Sequence, residues 1–228
     1  MSWFTRYLQS SIGQKVLMAA TGLFLMLFLV IHLLGNLQLL KHDGGEAFNA
    51  YTYFMTHNPL IKIVSYVLYL SIVLHAWKGL ALWLQNRSAR GAVRYAVTHV
   101  RGEERLSRNM AWLGIVILLF ILVHMYQFWL QMKIGALPEV PVAAYDFPVK
   151  NLYVIVQEAF ANLGYVIFYV ACMIAIAFHL WHGFWSSLQT LGLNHRKYNV
   201  LIHTVGIIYA IVIPAGFALI PLWMYFMA

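Results

Sequence analysis

Four apolar segments of this chain each carry a histidine at their heart: His32 in LVIHLLGN, His75 in VLHAWKGL, His124 in ILVHMYQF and His179 in AFHLWHGFW, where His182 follows three residues on. An imidazole can donate or accept a hydrogen bond, move a proton near neutral pH or ligate a metal. In apolar surroundings it is expensive and faces a partner. A single such histidine reads equally well as a helix-to-helix hydrogen bond. One in each of four segments points to a shared task.

Depth sorts them into two levels. His32 lies nine residues before Lys41, and His124 nine before Lys133. At about 1.5 Å per residue, both rings sit roughly 14 Å inside the same polar flank. His75 is thirteen residues inward from Lys62, and His179 about twenty-one inward from Glu158, so these two are deeper. Two histidines facing each other at one depth form the axial pair of a six-coordinate haem, and helical bundles build such sites from facing side chains. Two levels predict two b-type haems, an outer one between His32 and His124 and an inner one between His75 and His179. With both axial positions filled, no open position remains for oxygen or substrate, and the chemistry left is electron transfer.

Glycines fit this layout. Gly79 and Gly183 follow His75 and His179 by four residues, one turn on along the same face, where a missing side chain admits a flat ring. Gly22 and Gly114 each precede an outer histidine by ten residues, roughly 15 Å away and so near the inner level. Ordinary small-residue helix packing is the competing account. His182 rivals His179; the His-to-Gly spacing of four favours His179, leaving His182 for a haem propionate. Lys78, charged within an apolar segment, also needs a partner, and an inner-haem propionate would serve. His203 reads as structural, and His42, His57, His99 and His195 as solvated loop residues.

The elements that must position these groups are membrane helices. Of 228 residues, 62% are hydrophobic and 10% charged, whereas a soluble domain carries about 25% charged residues. Five runs reach the roughly 20 residues that cross a bilayer: Val16–Leu40, Leu60–Leu84, Met110–Met132, Gly164–Leu188 and Val200–Phe226. The first is too long for a signal peptide's apolar stretch and reads as a retained span. The fourth is expected to start near Leu152 as an amphipathic turn carrying Gln157, Glu158 and Asn162. Pro59 suits a helix start; Pro138, Pro141 and Pro148 mark a loop; Pro214 should kink the fifth span. The expected fold class is an all-α membrane protein, a five-helix transmembrane bundle in a single domain, 1–228.

Arg6, Lys15, Arg87, Arg90, Arg94, Arg101, Arg105, Arg108, Arg196 and Lys197 fall on one side of such a bundle, against Lys41, Lys62, Lys133 and Lys150 on the other. Basic connections stay cytoplasmic, which predicts a cytoplasmic N-terminus and an external C-terminus. The same placement explains the net charge of +8 by topology and argues against nucleic acid as a partner. The lone Cys172 excludes disulfides within the chain and any iron–sulfur cluster held by this chain alone. The absence of Cys-x-x-Cys-His excludes a c-type haem attachment.

With those residues in view, the chain resembles the five-helix, two-haem cytochrome b subunit that anchors bacterial succinate:menaquinone oxidoreductases (succinate dehydrogenases) and fumarate reductases. His32, His75, His124 and the segment AFHLWHGFWSSLQTLG carry the resemblance. It implies haem ligands on the first four helices, first paired with third and second with fourth, and a home in the bacterial cytoplasmic membrane. It also implies a flavoprotein subunit and an iron–sulfur subunit on the cytoplasmic face, with menaquinone as exchangeable substrate. Nothing in this chain reads as able to oxidise succinate itself. Some relatives carry an acid just before the fourth-helix histidine; here those positions are Ala177 and Phe178, which puts a proton route through such an acid in doubt. The cluster from Arg87 to Arg108 is a candidate docking surface for the iron–sulfur subunit, with anionic lipid as the alternative. His42, Asp43, Glu46 and Asn49 are candidate outer quinone groups that read equally as loop. Two alternatives stay open: the haem b subunit of a hydrogenase, formate dehydrogenase or nitrate reductase, and a transporter or proton relay with buried histidines.

Overall fold

The computed structural model describes residues 2–90 and 102–227. In chain order these form α1 (Trp3–Gln9), α2 (Ser11–Asn36), a 3-10 turn (Leu37–Leu40), α3 (Glu46–His57), α4 (Pro59–Arg90), α5 (Gly102–His124) and a π-helical stretch (Met125–Leu130). Then come α6 (Gln131–Ile134), β1 (Glu139–Val140), β2 (Val149–Lys150), α7 (Leu152–Phe160), α8 (Leu163–Thr190) and α9 (Asn199–Met227). Five helical stretches are long and apolar enough to cross a membrane. The bundle itself buries only 11% of the most apolar part of the second span and 33% of the fifth. The rest, including Ile63, Val73, Leu119 and Ile167, turns outward and requires an apolar solvent. The chain is a multi-pass membrane protein.

Local chemistry sets the helix ends. Ser10 closes α1 and opens α2, its side chain accepting from Gly13 N at 3.0 Å. Asn58 Oδ1 accepts from Leu60 N at 2.9 Å and Ile61 N at 3.3 Å, capping α4 ahead of Pro59, which occupies the expected first position. Asn162 caps α8 in the same way, accepting from Gly164 N at 2.8 Å. That cap separates α7 from α8, so the fourth span starts at Leu163 and the segment from Leu152 is a helix of its own. The first span begins at Ser11 rather than Val16, which places Lys15 inside a helix. The fifth runs unbroken through Pro214 and also through Pro221, both buried within it.

Four helices form a ring in the order α2, α4, α5, α8, in which α4 meets α5 only sparsely, while α9 packs mainly on α8 and also on α2. Tyr209 on α9 donates to the Met26 carbonyl of α2 at 2.6 Å. One end of the bundle is covered by α3, α7 and the β1–β2 pair, whose register is Glu139 with Lys150 and Val140 with Val149. The first connection is therefore helical over Glu46–His57, and the proline-rich third connection contains a two-stranded ladder. Gly45 adopts φ +85° at the start of α3, and a Cβ there would run into the Tyr153 ring, so both backbone and packing require glycine.

Asn49, 1% exposed, ties this cap together. Its Nδ2 donates to Asn151 Oδ1 at 2.9 Å and its Oδ1 accepts from Tyr153 N at 3.1 Å. Asn49→Ala leaves Asn151 Oδ1 short of a donor and the Tyr153 N–H buried without an acceptor. It is expected to cost roughly 1–3 kcal/mol, read as a lowered unfolding midpoint of the detergent-solubilised protein. A midpoint matching the unmodified chain would show that the cap does not depend on this residue.

Candidate functional site: two histidine pairs in one bundle

His32 comes from α2 and His124 from the last position of α5. Their ring centroids are 5.8 Å apart with planes at 89°. His75 comes from α4 and His179 from α8, with centroids 6.3 Å apart and planes at 70°. In the helical ring, α2 lies across from α5 and α4 across from α8, so each pair spans one diagonal of the same bundle.

Packing holds the rings in place. Phe28 stacks on His32 at 5.0 Å and Phe217 lies 5.5 Å from it; Phe120 and Phe128 flank His124 at 5.8 and 5.3 Å. Phe128 belongs to the π-helical stretch that follows His124 directly, a wider turn often found at functional sites. Asn36 Nδ2 donates to the His32 carbonyl at 2.7 Å and lies 3.3 Å from His32 Nδ1. At the other level, Thr21 Oγ1 donates to the Leu17 carbonyl at 2.8 Å and lies 3.2 Å from His75 Nδ1. This contact holds the His75 ring by its Nδ1.

The cavity among these helices has a volume of about 1780 Å³ and is lined by all four histidines, His182, and Gly22, Gly79, Gly114 and Gly183. A pocket for one small ligand holds roughly 300–1,000 Å³, so this space exceeds what one such molecule needs. A Cβ on Gly22 would lie 3.2 Å from His75 Cε1, and one on Gly114 would lie 4.0 Å from His179 Cε1. These two glycines stand at the level of the inner pair. Gly79 and Gly183 face the methyl ends of Met18 and Met26, at 3.1 and 3.4 Å from a Cβ position.

The residues fit a haem better than a bare ion. Among the described residues no group of three or more His, Cys, Asp or Glu side chains could hold a metal ion. Each level offers two imidazoles, the set that suits a cofactor bringing its own four equatorial nitrogens. A metal–imidazole bond of roughly 2 Å sets two ring centroids across one ion at roughly 6 Å, close to both observed separations. His124 Nδ1 and His179 Nδ1, one at each level, are buried with no hydrogen-bond partner, a costly state in a finished site.

Lys78 is the predicted site residue that does not line the cavity; its ammonium lies over the Trp77 ring at 4.7 Å. Lys15 lines the cavity instead, as do Lys62 and Lys133. Of the outer quinone candidates, Asp43 caps α3 by accepting from Gly45 N and Ala47 N, each at 3.0 Å. Glu46 Oε1 accepts from Ala143 N at 2.8 Å, Asn49 is the cap fastener, and His42 packs 5.7 Å from Trp223. His203 stacks on Trp185 at 3.7 Å, His57 stacks on Tyr53 at 4.0 Å, and His195 Nδ1 accepts from Lys197 N at 3.2 Å. Arg94, His99 and Arg101 lie outside the described residues, as do the side chains of Arg90, Arg105 and Arg108. Arg87 packs over Trp83 at 5.5 Å. Sequence reasoning missed Lys15, Thr21 and Asn36. Asn36 was legible as a polar residue one turn after His32, whereas the places of Thr21 beside His75 and of Lys15 in the cavity lining show only once the other helices are packed.

Fold and site together define a multi-pass helical membrane protein with two half-buried histidine pairs facing one cavity. No family model matches the chain, and no solved structure matches it. It resembles the succinate dehydrogenase cytochrome b558 subunit of Bacillus subtilis (strain 168), at 24% identity over 169 residues, 74% of this chain and 73% of that protein.

Proposed function

We propose that this chain is the membrane-anchor cytochrome b subunit of a succinate dehydrogenase or fumarate reductase complex in a bacterial cytoplasmic membrane. In this reading His32 with His124 would hold one b haem, and His75 with His179 a second. The observation that carries the proposal is the pair of histidine diagonals in one bundle. The Bacillus subtilis relative, named as a succinate dehydrogenase cytochrome b subunit, supports the choice of complex.

Two bis-histidine haems would supply one-electron relay between the iron–sulfur subunit and menaquinone. The chain's own residues do the rest. His32, His75, His124 and His179 would hold the two groups, two imidazoles to each, and so would keep small molecules from the metal. Thr21 orients the His75 ring, and the phenylalanines around His32 and His124 exclude water from the outer level. By the charge rule for membrane topology the basic N-terminus and connections would face the cytoplasm, and the flavoprotein and iron–sulfur subunits would dock there, next to the inner pair.

The test is the native complex purified from membranes. A pyridine haemochrome assay should give two b haems per chain, with low-spin spectra, and flavoprotein and iron–sulfur subunits should co-purify. A chain without haem would point to a transporter or proton relay, and co-purification with a hydrogenase, formate dehydrogenase or nitrate reductase would reassign the complex.

A further inference from the structure

The described acidic side chains leave one end of the cavity without a countercharge. Of the seven acids in the chain, Asp43, Glu46, Glu139, Asp146 and Glu158 belong to the connections around α3, the β-pair and α7, at the outer end. Glu103 and Glu104 stand at the start of α5, outside the described side chains. Among the described residues no Asp or Glu lines the cavity, yet Lys15 does, near the start of α2.

Its position on α2 is specific. Lys15, Met18 and Gly22 stand at helical spacings of three and seven, which put them on one face, and all three line the cavity. Gly22 on that face lies against His75, and Met18 reaches Gly79. Lys15 is therefore two turns, roughly 10 Å, beyond the inner pair toward the N-terminal end of α2. On α8, His182, Ser186 and Thr190 follow His179 by three, seven and eleven residues and line the same end, with Asn86 of α4 opposite. Polar groups on three helices thus line the cavity beyond the inner pair, and Lys15 is the described cation among them.

We infer that this end of the cavity is a carboxylate-binding site in which Lys15 is the counter-ion of the inner haem's propionates. The inference rests on the dihaem reading and assigns to Lys15 the part that sequence alone offered to Lys78. A cation beside the propionates stabilises the reduced haem, which carries one more electron, over the oxidised one. Removing it lowers that haem's midpoint potential.

The experiment is a redox titration of the whole purified complex, followed in the visible bands, with each haem assigned from the single-haem histidine variants. Lys15→Met and Lys15→Gln should shift the inner haem to lower potential and leave the outer one in place. Lys15→Arg should restore most of the shift, and Lys78→Met should leave both potentials unchanged. Two haems present with an unmoved inner potential in both neutral Lys15 variants would overturn the assignment, as would a shift confined to Lys78→Met. Absence of haem from the unmodified complex would instead defeat the dihaem reading, and this site with it.

Discussion

Replacing His32 or His124 with alanine is expected to remove the same single haem, lowering the haem content of the purified complex from two per chain to about one. Replacing His75 or His179 should remove the other. The reason is geometric: each imidazole has one partner ring across the cavity, at 5.8 Å for the outer pair and 6.3 Å for the inner. A metal bound by one imidazole loses much of its hold and all of its six-coordinate, low-spin character. His182→Ala should keep both haems, because His75 faces His179 as a ring pair. The measurements are haem content and the reduced-minus-oxidised spectrum of each variant. Loss of different haems from the His32 and His124 variants would overturn the pairing. So would loss of the inner haem from His182→Ala with its retention in His179→Ala.

Succinate is expected to reduce the inner haem in outer-level variants, while inner-level variants lose succinate-dependent reduction of the haem that remains. Dithionite should reduce both, which separates a broken route from a missing cofactor. In the inner-level variants, quinone reduction should fall on the order of a hundredfold or more, equivalent to about 2.7 kcal/mol of barrier, because the first relay from the iron–sulfur subunit is gone. This outcome depends on orientation. By the charge rule, the ten basic residues of the N-terminus and the second and fourth connections would put the inner pair on the cytoplasmic side. If the outer-level variants were the ones to block entry, the chain would lie the other way round in the membrane.

The positions that stayed ambiguous in the sequence share a physical cause. Lys78 looked like a propionate partner because a charge within a span must be satisfied. Whether a side chain three residues past His75 points to the cavity depends on where the neighbouring helices lie, and Lys78 turns to Trp77. Lys15 seemed to precede the first span, since hydropathy marks where apolar residues begin rather than where the helix does; the Ser10 cap starts the helix earlier. Asp43, Glu46 and Asn49 offered carboxylate and amide groups near the outer level. Asp43 caps α3, and Glu46 and Asn49 fasten it to its neighbours by contacts that cross about a hundred residues of chain.

What the sequence determined by itself is one-dimensional. Hydropathy over five long runs sets the number of spans, because only a continuous apolar helix satisfies its backbone in lipid. Counting residues from charged flanks gives an approximate depth, because an α-helix rises by a constant step. Only Lys62 and His75 share one α-helix, and the other three counts cross a 3-10 turn, a π-helical stretch or the Asn162 cap. What only the tertiary structure decided is lateral. It is the order α2, α4, α5, α8 around the ring that sets His32 across from His124 and His75 across from His179. That order also brings Thr21 to His75, Gly22 to the inner level and Lys15 to the mouth below it. Neighbourhood between helices is chosen by packing of side chains far apart in the chain, and no spacing along a single helix encodes it.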